Sequence, residues 1–258
     1  MPAEPIERGD YVQGLARGLS IMESFEGQNE YMTAADLAKS VGLPRATVRR
    51  CLLTLRELGY VEVMSDKLYR LAPKVLLLAR AYSSSSLLPR ISQPIVERLS
   101  ETLKESCTVW IFSRDDAIFV ARSTRKRKGS RFREVGSNVP SYVSSMGRCL
   151  LASYSEQELD AYLKRIQLHR HTAYSVVDPK KLRSIIKDVR KQEFCVVDQE
   201  FDLGLRTIAV PIKNSSGRII AALSATSEAD RTSKRELETR FLPELRAAAA
   251  EIRSYLPG

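Results

Sequence analysis

Between Thr33 and Val61 the apolar positions recur at three- and four-residue spacing in two short blocks separated by a tight turn. Leu37, Ala38 and Val41 give the first block its apolar face, and Thr33 with Asp36 three residues on is a capping-box-like start. Gly42 supplies the turn, and Pro44 stands where a first helical residue tolerates a missing N–H. In the second block Val48, Cys51, Leu52, Leu55 and Leu58 define a buried stripe, while Ala46, Thr47, Arg49, Arg50 and Thr54 occupy the other side. Val61 to Met64 and Leu68 to Leu71 then read as two strands around Ser65-Asp66-Lys67. Two helices followed by a hairpin predict a winged helix-turn-helix. A helix with an apolar back and a front of arginines and small residues can enter a major groove, where Arg reads guanine or contacts phosphate. Arg45, Thr47, Arg49 and Arg50 are thereby placed near base edges or flanking phosphates, and Lys67 on the backbone from the wing tip.

The same periodicities organise the remainder. Residues 1–10 are polar and read as a flexible N-terminus. Leu15, Leu19, Ile21, Met22 and Phe25 predict a helix over Val12 to Glu26 that packs behind the two-helix unit. The winged unit spans 11–72, and a linker helix opened by Pro73 occupies 73–86, running into Ser83-Ser84-Ser85-Ser86 as a flexible junction. From 87 to 258 a second domain begins with a four-spaced stripe, Ile91, Ile95, Leu99 and Leu103. Six strands follow: Thr108 to Phe112, Ile118 to Arg122, Arg131 to Val135, Phe194 to Asp198, Leu205 to Ile212 and Ile219 to Thr226. Helices intervene at Ser144 to Ser153, after a Ser155/Glu158 capping box and from Asp178-Pro179. A closing helical region over Thr232 to Tyr255 must kink or split at Pro243. Strands grouped this way predict an α+β domain with an antiparallel sheet.

Composition narrows the classes. The chain has 258 residues, 43% hydrophobic, with no run long enough to span a bilayer and no apolar block of a signal peptide at its start. Its four cysteines are widely separated without a C-x-x-C pair, which favours reduced thiols in a cytoplasmic protein. Net charge is +10, yet residues 1–72 hold nine Lys/Arg against ten Asp/Glu. The helix pattern, not bulk charge, therefore carries the nucleic-acid reading. From Leu37 to Arg56 the only charged residues are Lys39, Arg45, Arg49, Arg50 and Arg56. The run Arg122 to Arg133 holds seven basic residues and no acid. It reads as a solvated loop between strands, as a source of arginines for an acidic effector, or as a further contact with DNA phosphates or an acidic subunit surface. Only His169 and His171 are available as imidazole bases, neither beside a Ser or Cys partner, so no catalytic residues, cofactor or metal site are expected.

With these pieces in place the chain resembles the IclR family of bacterial transcription regulators over nearly its full length. The likeness is carried by VQGLARGLSIMESF at Val12 to Phe25, RCLLTLRELGYV, GSNVPSYVSSMGRCLLA at Gly136 to Ala152, DQEFDLGLRTIAVPI and SGRIIAALSAT. VPSYVSSMGRCLLA and FLPELRAAAAEI look most like the β-ketoadipate-pathway subgroup, the PcaR, PcaU and PobR type. The resemblance implies an N-terminal winged helix-turn-helix, a linker helix and a GAF-like effector-binding domain with a six-stranded antiparallel sheet. It also implies homodimers, often paired into homotetramers, and modulation by small organic acids, aromatic or dicarboxylic.

Carried over motif by motif, the effector positions are Ser144, Ser145, Met146, Val197, Asp198, Leu205, Thr207, Ser224 and Thr226. Ser144 to Met146 lie on a loop entering a helix at Gly147, where exposed N–H groups suit a carboxylate and the glycine permits close approach. Ser224 and Thr226 lie two apart on one strand and share a face. The bland reading of each hydroxyl is that it satisfies local backbone groups. The expected function is a DNA-binding regulator of aromatic catabolism responsive to a small organic acid; the alternative is a ligand-sensing adaptor that does not act through DNA.

Overall fold

The computed structural model describes residues 10–25, 31–64, 67–123 and 138–257. Two compact units divide the chain, residues 1–85 and 86–258. No helix among the described residues is long and apolar enough to cross a membrane.

The first unit contains α1 (Gln13–Glu23), α2 (Ala34–Val41), α3 (Arg45–Glu57), α4 (Val75–Ser85) and a small antiparallel sheet. That sheet has the order β1-β3-β2, with β1 Met32–Thr33, β2 Val61–Val63 and β3 Leu68–Leu71. Thr33 caps α2 as its sequence requires: its side chain accepts the Asp36 N–H at 3.2 Å, and Asp36 accepts the Thr33 N–H at 3.0 Å. The Thr33 hydroxyl also donates to the Asp36 carboxylate at 2.6 Å, and this bond with that from the Thr33 N–H holds the Asp36 carboxyl below its ordinary range. Gly42 ends α2 at φ +65°, a left-handed conformation that glycine adopts without strain. Ile21, Leu37, Val48, Leu52, Leu55 and Val61 form the core.

Three expectations change here. Cys51 is only half-buried and Leu58, at the end of the helix, is exposed. Leu15 and Leu19 are 62% and 46% exposed, so α1 packs through Ile21, with Met22 and Phe25 partly buried, and leaves its other apolar flank open. The serine stretch is helix up to Ser85, because Ser84 and Ser85 donate back to the Ala81 and Tyr82 carbonyls at 3.2 and 3.1 Å. Such back-bonding lets serine close the last turn of a helix as readily as enter a linker.

The second unit is a six-stranded antiparallel sheet between helical layers. Its order is β6-β5-β4-β9-β8-β7, with β4 Ser106–Ser113, β5 Asp116–Ser123, β6 Asn138–Pro140, β7 Cys195–Asp198, β8 Leu205–Lys213 and β9 Ile219–Glu228. The stretch 131–135 expected as a strand lies outside the described residues; the third strand in chain order is β6. One face carries α5 (Leu87–Leu103) and α10 (Leu242–Ser254) over Val109, Ile208, Val210 and Leu223. The other carries α6 (Ser145–Leu151), α7 (Glu156–Arg165) and α8 (Pro179–Gln192) over Trp110, Cys195, Ala209 and Ala222. Ser155 with Glu158 caps α7, and Asp178 ahead of Pro179 caps α8. At the C-terminus the short α9 (Lys234–Glu236) runs through a π-turn, Leu237–Phe241, into α10, whose first turn contains Pro243. The missing proline N–H is absorbed there, where an α-helical bond could not form.

Candidate functional site

On α3 the apolar stripe Val48, Leu52 and Leu55 is buried, which turns Arg45, Ala46, Arg49, Arg50 and Leu53 outward. None of Arg45, Arg49 and Arg50 makes a side-chain hydrogen bond or ion pair with another described residue. A row of arginines without partners among the described residues is a surface suited to an external polyanion. Thr47 and Thr54 lie on a flank instead, lining with Arg50 a groove of about 600 Å³ against Leu15 and Leu19 of α1 and Leu78 of α4. The Thr54 hydroxyl is also spent, donating to the Arg50 carbonyl at 3.2 Å. Leu53, 39% exposed and out of phase with the buried stripe, is a surface residue the sequence pattern did not single out, and its methyls suit a thymine methyl. Lys67 sits exposed at φ +64°, where the wing turns into β3. Lys74 donates to the Leu58 carbonyl at 2.8 Å and lies over the Tyr60 ring, tying the end of α3 to the approach to α4.

In the second unit the pairing register gathers hydroxyls on the face beneath α6. Ser106, Thr226, Thr207 and Val197 stand abreast in one row, and Thr108, Ser224, Ala209 and Cys195 in the next. Leu205 shares this face, two residues before Thr207. From above, Ser145 donates to Thr207 at 2.9 Å, and Met146 is buried in the same cluster as Trp110 and Val197. The Trp110 indole N–H donates to the Ser224 hydroxyl at 2.8 Å, leaving that hydroxyl's own proton with only a long, 3.4 Å contact to the Thr108 carbonyl. Ser145, Met146, Val197, Leu205, Thr207, Ser224 and Thr226 are thus brought onto or against one face.

Two of the expected positions stand apart. Asp198 alternates to the opposite face of β7, where Arg206 grips it at 2.9 and 3.1 Å and Lys234 approaches to 3.3 Å. Burial opposes its ionisation, but these two cations outweigh it and hold the carboxyl below its ordinary range. Ser144 serves the backbone: it accepts the Gly147 N–H at 3.2 Å and donates to the Pro140 carbonyl at 3.1 Å. Gly147 has its own local reason. A Cβ there would stand 2.3 Å from both the Cα and the carbonyl oxygen of Ser141, so its bareness lets α6 cross the preceding turn rather than admit a ligand.

What fixes α6 is a residue that periodicity did not mark. Arg148 is 1% exposed, and its guanidinium meets Glu200 in two bonds of 2.7 and 2.6 Å, with Nε donating to the Tyr142 carbonyl at 2.8 Å. Burial alone would lower its pKa; Glu200 more than compensates and raises it. Glu200 further accepts the Val176 N–H at 3.0 Å, and its carbonyl accepts from Ser175 at 2.6 Å. Tyr142 accepts the His169 N–H at 3.0 Å, and its hydroxyl lies 3.0 Å from Nε2 of His171, which packs on Phe201. The His171 ring and the His169 backbone are thus both tied to Tyr142. Cys149 and Cys195 are buried, and desolvation pushes both thiols up, Cys195 to about 11.

A winged helix that turns arginines outward is joined in one chain to an antiparallel sheet whose hydroxyls gather on the face beneath α6, the layout of a two-part DNA-binding regulator. Two family models match: "IclR helix-turn-helix domain" over residues 14–64 and "Bacterial transcriptional regulator IclR C-terminal" over 80–254. The chain belongs to the IclR family of transcriptional regulators and is not an enzyme. It is 42% identical to the Pca regulon regulatory protein of Pseudomonas putida, over 96% of this chain and 86% of that one. A transcriptional regulator from Rhodococcus sp. RHA1 superposes with TM-score 0.79 at 40% identity, covering 95% of this chain and 98% of that structure. An IclR homolog from Microbacterium hydrocarbonoxydans, solved with 4-hydroxybenzoate, gives TM-score 0.77 at 25% identity over 94% and 98% of the two chains.

Because Arg148 and Glu200 are buried together, removing one charge strands the other. Glu200→Gln is expected to lower unfolding stability by about 3 kcal/mol, the scale for breaking one side of a buried pair. Urea denaturation reads this directly, and an unchanged midpoint would contradict the assigned role.

Proposed function

We propose that the cup beneath α6 holds a small aromatic carboxylate and that its occupancy changes how strongly a homodimer grips operator DNA. The observation that carries this is the convergence of Ser145, Thr207, Ser224 and Thr226 on one face walled by Met146 and Trp110. Hydroxyl donors supply anchoring, and the thioether and indole supply an apolar slot for a ring. The relationship to a Pca regulon regulator and to a homolog that binds 4-hydroxybenzoate supports the same ligand class.

Dimerisation is supported by apolar surface that the first unit leaves uncovered. Leu15 and Leu19 of α1 and Leu76, Leu77 and Leu78 of α4 are all between 46% and 68% exposed. Burying them between two copies sets two reading helices on a near-palindromic site, with half-sites one or more helical turns apart. The ligand then acts by binding one placement of the reading heads better than another, and only to the extent of that difference.

Ligand binding is tested by isothermal titration with 4-hydroxybenzoate, protocatechuate, β-ketoadipate and cis,cis-muconate. Ser224→Leu is expected to abolish binding of the effector while operator affinity stays near wild type; a response that survives the substitution misplaces the cup. On the DNA side, Arg49→Ala and Arg50→Ala are each expected to weaken operator binding. A phosphate contact lowers the log–log salt slope by about 1 per residue lost, whereas a base contact relaxes sequence preference at one position. If both variants bind as wild type does across the salt range, α3 is not the reading helix.

A further inference from the structure

Two hydroxyls beneath α6 lie side by side on neighbouring strands, and the sequence motifs marked only one of them. β4 and β9 pair in regular antiparallel register, Thr108 with Ser224 and Trp110 with Ala222. Side chains alternate along a strand, so Thr108 and Trp110 share the α6 face with Ser224, while Cys107 and Val109 enter the layer under α5 and α10. We propose that Thr108 joins Ser224 in seating the carboxylate of the effector, and that Trp110 sets the Ser224 hydroxyl as the donor this seat requires. This rests on the reading of the cup as an aromatic-acid site.

The part played by Trp110 follows from what an indole can do. Its N–H donates and cannot accept, so at 2.8 Å the Ser224 oxygen is the acceptor. The Ser224 proton must then point elsewhere. Its other contact among the described residues is the Thr108 carbonyl at 3.4 Å, well beyond the roughly 2.5–3.0 Å of a good O–H···O bond. Accepting from the indole also polarises the hydroxyl and makes it a stronger donor. Phe119 meets Trp110 edge-on, with ring centroids 5.2 Å apart, which holds the indole in this orientation. Ser224 therefore offers a hydrogen to a ligand, not a lone pair.

Thr108 supplies the second donor. It is 6% exposed, and its hydroxyl makes no hydrogen bond with any described residue. Residues directly abreast on antiparallel strands have Cβ atoms about 4.5–5.5 Å apart. Two hydroxyls at that separation converge on a group with two oxygens, and an ionised carboxylate is such a group, accepting at both and donating at neither. A carboxamide is not equivalent, because its N–H2 end would face a donor. The seat thus selects by hydrogen-bond polarity. The ligand's charge strengthens each bond, and the indole keeps Ser224 from turning round to accept.

The test is calorimetric titration of the full chain with 4-hydroxybenzoate and protocatechuate and with their uncharged carboxamides. Wild type is expected to prefer the acids; equal binding of acid and amide overturns the seat. Thr108→Val keeps the side-chain shape and removes the hydroxyl. It should lose roughly 10- to 100-fold in acid affinity, the worth of one hydrogen bond to a charged group, with amide affinity nearly unchanged. Thr108→Ser should restore most of the loss. Trp110→Phe keeps an aromatic wall but releases Ser224 to accept, so it should narrow the acid preference, with the amide gaining relative to the acid. Thr108→Val tests the seat independently of Trp110, whose ring also packs the core. Acid preference unchanged in Thr108→Val, or equal weakening of acid and amide, overturns the assignment to Thr108. An unchanged preference in Trp110→Phe overturns the role given to the indole, and each of these results leaves the cup intact. Failure of wild type to bind any of the aromatic acids overturns the cup reading and this inference together.

Discussion

Arg148 has no route to water, and much of the second unit follows from that. A guanidinium is tolerated in a core only when a partner of matching geometry meets it, and Glu200 does so with both oxygens. The pair ties the start of α6 to the loop after β7, and the secondary bonds of Glu200 to Val176 and Ser175 tie in the segment ahead of α8. Three pieces of chain far apart in sequence are thereby fixed against one another. Ser145 and Met146, in the first turn of α6, then have one position over the sheet. In the proposed cup a ligand would meet donors already in place, so less of its binding energy would go into ordering the site.

The first unit uses charge in the opposite way. Val48, Leu52 and Leu55 anchor α3 from behind, and the arginines in front have no partners among the described residues. Such a surface is unfavourable only in the sense that like charges repel across a solvated face; a phosphate lattice relieves that repulsion and releases counterions. Buried charge satisfied internally fixes the second unit, whereas α3 of the first unit turns its charge outward. The IclR family joins both in one chain, and control of transcription requires only that the ligand bind unequally to states of the protein that differ in DNA affinity.

Features decided within a few residues were legible in the sequence. The Thr33/Asp36 and Ser155/Glu158 capping boxes, the Asp178-Pro179 helix start, the Gly42 turn and the break at Pro243 are local chemistry, and each stands where the residues require it. The spacing of apolar residues also located α3 and five strands of the sheet, β4, β5, β7, β8 and β9, while β6 went unmarked. What could not be read depends on partners distant in the chain. Trp110 finds Ser224 across 114 positions and Arg148 finds Glu200 across 52. Asp198 was carried into the cup by motif, but strand alternation puts it on the other side. The serine stretch before Leu87 has the composition of a linker, yet its hydroxyls close helical turns.

The central claim is that occupancy of the cup and grip on DNA are one thermodynamic system. Reciprocity demands that if effector alters operator affinity by some factor, operator alters effector affinity by the same factor. Calorimetric titration of the aromatic acid into protein alone and into protein saturated with its operator measures this directly. Unequal dissociation constants, with a ratio matching the change in operator affinity seen on adding the acid, are the predicted result. Identical constants in the two titrations would contradict the account.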